Sequence, residues 1–143
     1  MRRLTALLLL VFTLSQTALA AGRLEIDRAW IRTAPPGAMM LAGYATLRNT
    51  GDAPLTVVGA SSETFGDASL HESVEVDGVA RMKALGPLEI APGASVVFAP
   101  GGKHLMLMRP KGEIKPGGSI KIHIEAKPGD GATAGFVVRD TAP

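Results

Sequence analysis

Apolar and polar residues alternate in short runs along this chain, and Gly, Pro, Asn and Asp separate the runs. That pattern predicts strands of an all-β sandwich or barrel. Leu24 to Thr33 reads as a first strand, with Leu24, Ile26 and Trp30 facing inward, and Ala34-Pro35-Pro36-Gly37 ends it. Ala42 to Arg48 is a second strand, followed by an Asn49-Thr50-Gly51-Asp52 turn, and Leu55 to Ala60 is a third, rich in β-branched residues. Ser61 to Asp67 reads as a polar connection. Ser69 to Val76 and Val79 to Leu85 flank Asp77-Gly78, a strong short-range hairpin signal. Further strands are expected at Ser95 to Phe98, His104 to Met108, Ile120 to Ala126 and Gly135 to Arg139. Sustained helical periodicity appears nowhere after the first twenty residues, so helix should be minor.

Those twenty residues stand apart. Arg2 and Arg3 precede an uncharged, mostly apolar run from Leu4 to Leu14, and Ala18-Leu19-Ala20 is a small-x-small cleavage site. Residues 1–20 therefore read as a secretory signal peptide, and 21–143 as a single secreted β-domain with no stable membrane insertion after cleavage. The apolar run is too short for a stable bilayer span. Cleavage also removes Arg2 and Arg3, which lowers the balance of 15 basic and 13 acidic residues to zero net charge. A neutral chain without basic runs gives no electrostatic case for nucleic acid. The sequence has no cysteine, so lipidation of a cysteine within it is excluded. A mature domain of this size can fold on its core without disulfides.

Candidate chemistry concentrates between His71 and Met106. Ten residues separate His71 from Met82, twenty-one more separate Met82 from His104, and Leu105 and Met106 follow. With Asp77 and Gly78 at the centre of a two-residue turn, Val76 pairs with Val79, Ser73 with Met82 and His71 with Ala84. Alternation then puts His71, Ser73 and Glu75 on one face with Ala80, Met82 and Ala84. His71 and Met82 become diagonal neighbours, and small Ser73 and Ala84 leave room for an ion between them. His104 and Met106 share a face of their own strand, with Leu105 and Leu107 on the other. If the two site faces meet, four donors surround one point. Two imidazoles and two thioethers suit Cu(I), a soft ion content with three or four such donors. Zinc favours thiolate or carboxylate in place of the methionines, and calcium and magnesium favour oxygen.

The spacing of His71, Met82, His104 and Met106 is that of the periplasmic copper chaperones called PCu(A)C, which this sequence resembles over nearly all of residues 21–143. Pro35-Pro36-Gly37, the run from Leu47 to Pro54, Leu70-His71-Glu72 and the run from Gly101 to Met108 are similar too. The resemblance implies a single-domain, cupredoxin-like Greek-key β-sandwich that binds Cu(I) near one edge. It implies a monomeric carrier, not an enzyme, that delivers copper to the copper-bearing subunit of a cytochrome c oxidase, directly or with a Sco-type partner. Some members carry a Met- and His-rich C-terminal tail associated with Cu(II). This sequence ends Gly135-Phe136-Val137-Val138-Arg139-Asp140-Thr141-Ala142-Pro143 without one, which leaves Cu(II) as a secondary candidate.

Other readings of the same residues remain in play. Singly, His71 is a solvated or satisfied strand histidine and Met82 is core filler. The set, taken with the family spacing, outweighs both. Met108 is expected to shield the site or pack, Met39 and Met40 to pack in core or loop, Trp30 to lie in the core, and His123 to sit on a solvated face. Glu72 is expected to form a weak cross-strand charge pair with Lys83. A blue-copper electron carrier needs a cysteine ligand, and serine or cysteine catalysis lacks any motif. The competing function is a secreted β-sandwich for protein binding or adhesion, in which the His/Met set is incidental.

Overall fold

The computed structural model describes residues 21–143, so the signal peptide expected over residues 1–20 lies outside the described residues. Ten strands follow one another in the order β1 (Leu24–Arg32), β2 (Met40–Asn49), β3 (Leu55–Ser61), β4 (Phe65–Val76), β5 (Val79–Ala84), β6 (Leu88–Ile90), β7 (Ser95–Phe98), β8 (Lys103–Pro110), β9 (Ser119–Lys127) and β10 (Ala132–Arg139). Among the described residues there is no helix. One hydrogen-bonded path joins the strands as β5-β4-β8-β2-β1-β10-β9-β3-β6, with β7 paired to β2. All the pairings are antiparallel except that between β1 and β10.

The core draws on nearly every strand. Ile31, Leu47, Leu55, Val57, Phe65, Leu105, Leu107, Ile122, Ile124 and Phe136 are buried together in it. In β8 and β9, Leu105 and Leu107, like Ile122 and Ile124, join the core cluster, and the residues between them do not. Burying this apolar area is the main favourable term in folding, as expected for a chain without disulfides. Two polar side chains are buried among the described residues, Asn49 and His104, and Asn49 belongs to the frame. Asn49 is 0% exposed, yet all its capacity is used. Its Oδ1 accepts from the backbone N–H groups of Arg23 and Gly51, and its Nδ2 donates to the carbonyls of Ala53 and Ile90. The expected turn residue is thus a polar peg that joins the start of β1, the β2–β3 turn and β6.

Trp30 is buried, as expected, but outside the main core cluster. Arg28 has a φ of +48°, and the β1–β2 register shifts between Asp27 and Trp30. This β-bulge turns the strand over. Ile31 takes the core position, and Trp30, still buried, faces the opposite side of the sheet, where its ring lies 4.7 Å from that of Tyr44. Burial of Tyr44 raises its phenol above the ordinary value, partly offset by the positive charge of Arg32.

Candidate metal centre

The hairpin behaves as its turn chemistry dictates. Asp77 and Gly78 have φ values of +53° and +75°, the pair of left-handed conformations that a type I′ turn requires. Val76 pairs with Val79, Ser73 with Met82 and His71 with Ala84. His71 and Met82 are therefore on one face and diagonal to each other.

The second half of the site arrives by a long-range pairing. Strand β4 lies between β5 and β8, and its other edge pairs His71 with His104 and Ser69 with Met106. The two donor pairs thus share one face of one sheet instead of meeting across a gap. His71 and His104 are directly opposed, their ring centroids 6.1 Å apart. Met106 is diagonal to His71 on one side, and Met82 is diagonal to it on the other. The two histidines and Met106 form a close trio on adjacent strands. Met82 belongs to the outer strand and is 62% exposed, so its thioether stands at the rim.

Hydrogen bonding distinguishes the ring nitrogens. His104 is only 5% exposed. Its Nδ1 lies 3.0 Å from the Gly102 carbonyl, which can only accept, so Nδ1 carries the proton. In neutral His104 the Nε2 atom is then a bare lone pair. On His71, Nε2 lies 3.1 Å from the Ser69 hydroxyl. The remaining atoms, His71 Nδ1 and His104 Nε2, are buried and have no hydrogen-bond partner. Buried polar atoms without partners are rare and costly, and two in adjacent rings mark a place for an electrophile. Among the described residues no three His, Cys, Asp or Glu side chains gather to hold an ion. The side chains diagonal to the His71 imidazole on this face are thioethers, a donor type that favours a soft ion over zinc or calcium.

The surroundings correct several expectations. Glu72 lies opposite Lys83, but its ion pair is with Lys103 on β8, at 2.9 Å. That hydrogen bond holds the Glu72 carboxyl below its ordinary value, with help from the charges of Lys103 and Lys83. The contact ties β4 to β8 next to the two histidines. Met39 and Met40 are not packed: they are 62% and 53% exposed. Met40 pairs with Met108, and Ala42 with Met106, so both methionines of β8 share the histidines' face. The expected solvated His123 lies elsewhere, on β9, with Nδ1 on Thr133 Oγ1 and Nε2 on the Asp130 carbonyl. Its hydrogen-bonding capacity is spent. Sequence reasoning missed Ser69 and Gly102, which orient the two rings. Their position two residues before each histidine is the only local signal they carry.

Known proteins resemble this chain in sequence and in fold. A family model described as "Putative lipoprotein LpqE-like" matches residues 24–138. "Putative lipoprotein Lxx21020" from Leifsonia xyli subsp. xyli is 31% identical over 121 residues, covering 84% of this chain and 72% of that protein. "Uncharacterized protein RP573" from Rickettsia prowazekii is 34% identical over 82 residues, which is 57% of this chain and 45% of that protein. Among solved structures, the Cu(I) form of DR1885 from Deinococcus radiodurans has a TM-score of 0.65 at 29% identity, covering 87% of this chain and 83% of that one. The apo PCuAC domain from PmoF1 has a TM-score of 0.67 at 23% identity, covering 85% and 96%. The latter likeness bears on the fold alone, a cupredoxin-like β-sandwich. The family model and the Leifsonia relative are both named for putative lipoproteins. The chain belongs to the LpqE-like family, which is the family of the PCuAC domains.

Proposed function

We propose that this protein is a periplasmic copper chaperone that binds Cu(I) through His71, Met82, His104 and Met106. The observation that carries this reading is the pair of buried, partnerless imidazole nitrogens on adjacent rings, with thioethers diagonal to them on the same face. His71 coordinates through Nδ1 and His104 through Nε2, because the other nitrogen of each ring is engaged by Ser69 or Gly102. Met106 and Met82 complete a neutral, soft donor set. The Cu(I) form of the Deinococcus radiodurans relative supports the choice of metal. An adhesion module would leave the two orphaned nitrogens without a purpose.

Copper is cargo, so the site must release it as well as bind it. A rim donor, Met82, next to a buried one, His104, suits stepwise ligand exchange, with the rim thioether displaced first. The recipient is the copper centre of a cytochrome c oxidase, reached directly or through a Sco-type thiol protein. No reaction is catalysed.

An anaerobic competition with a chromogenic Cu(I) chelator tests the proposal. The parent should withhold one equivalent of Cu(I), and Met82→Ala and His104→Leu should withhold less while keeping a native circular dichroism spectrum. Failure of the folded parent to compete would overturn the carrier reading.

A further inference from the structure

Strand β8 carries a third methionine on the site face, and the register shows where it leads. His104, Met106 and Met108 follow one another on that face, paired across β4 with His71, Ser69 and Asp67. On the other edge of β8, Met106 pairs with Ala42 and Met108 with Met40. Met106 is thus flanked by two short side chains, which leave its thioether uncovered on both sides. One step along, Asp67, Met108 and Met40 form a row across three strands. Directly opposed side chains in antiparallel strands have Cβ atoms about 5 Å apart, within reach of two thioethers that share an ion. Met40 is 53% exposed at the first position of β2, so burial does not account for a long apolar side chain there. Asp67 places a carboxylate at the end of the row, where it offsets the charge of a monovalent cation that two neutral thioethers cannot.

We propose that Met40 and Met108, with Asp67 beside them, form a second and weaker Cu(I) site, joined to the histidine site through Met106. The inference rests on the Cu(I) reading of the histidine site and adds a route to it. The ion exchanges between successive thioethers without change of oxidation state: Met40 and Met108 capture it, Met106 is shared, and the two imidazoles hold it. Two thioethers and a partly solvated carboxylate bind more weakly than a site with two imidazoles, so the gradient runs inward. This face has a rim methionine at each end, Met82 on β5 and Met40 on β2, and the histidines lie between them.

The test is a titration of the protein, labelled with ¹³C at its methionine methyl groups, with Ag(I) as a redox-inert probe of soft-ion sites. The first equivalent should shift the His71 and His104 ring signals and the Met82 and Met106 methyls. Further Ag(I) should then shift the Met40 and Met108 methyls together, and Met40→Leu should abolish the Met108 response. Asp67→Asn should weaken it. Met39, adjacent and also exposed but outside the row, is the internal control. Unmoved Met40 and Met108 methyls, or a Met39 shift as large as theirs, would overturn the second site while leaving the first intact. If the histidines ignore the first equivalent, the carrier reading falls instead.

Discussion

Replacing His104 with leucine should make the metal-free protein more stable and the metal-loaded protein less so. In the parent, His104 Nε2 is buried without a partner, a condition that costs about 1–3 kcal/mol. Leucine, of similar volume, removes that cost. The hydrogen bond from Nδ1 to the Gly102 carbonyl is lost, worth about 1 kcal/mol. The carbonyl is not stranded, because it also accepts from the Ser73 backbone N–H at 3.1 Å. Burying an aliphatic side chain at this site returns roughly 1 kcal/mol. The sum is a gain of about 1–3 kcal/mol without metal. Urea denaturation reads it directly: with an m-value of about 2 kcal/mol/M, the midpoint rises by about 0.5–1.5 M. Without cysteines, no disulfide chemistry complicates the reading. With free Cu(I) buffered at about 1,000 times the parent's Kd, the parent alone gains about 4 kcal/mol, and the ranking reverses. A metal-free His104→Leu protein that unfolds at lower urea than the parent would refute the argument, because the Nε2 atom could not then be an uncompensated cost.

Ser69→Ala should leave the fold intact and weaken Cu(I) binding by about 10–100-fold, since it frees His71 to rotate; chelator competition beside a thermal melt separates the two effects. Asn49→Ala should cost about 3–4 kcal/mol, because four backbone groups lose their partner at once, and a drop below about 1 kcal/mol in chemical denaturation would contradict the peg. The Glu72–Lys103 pair sets an acid limb. The Glu72 carboxyl is held below its ordinary value of 4.5, so its contribution is present above that pH and is lost as pH falls through the lowered value. Melting temperatures of metal-free parent and Glu72→Gln should therefore differ at neutral pH and converge in acid.

What the sequence could reveal was set by range. The β4–β5 hairpin was legible to the residue because Asp77-Gly78 imposes its own backbone, and one turn type fixes every pairing behind it. Strand positions were legible from alternation, with starts four and three residues late for β4, which begins at Phe65, and β10, which begins at Ala132. Strand β6, three residues long, is too short to alternate. The bulge that turns Trp30 over was hidden because nothing about Arg28 announces a left-handed backbone. The adjacency of His71 and His104 depends on pairing β4 with β8, and no local pattern encodes that. Spacing singled out four candidate donors, but their arrangement side by side in one sheet, and the contacts of Ser69 and Gly102 with the two rings, needed the fold.

Strand β5 is exposed along its whole length, and β4 beyond Val74 joins it in solvent. Unzipping the tip of this hairpin breaks ladder hydrogen bonds but uncovers no core residue, so it is among the cheapest local openings the sheet has. The two imidazoles sit on the side of β4 that such an opening leaves in place. The protein is thus a fixed anvil and a loose jaw: two histidines that keep their geometry, and a methionine arm that can lift away in a fluctuation much smaller than unfolding.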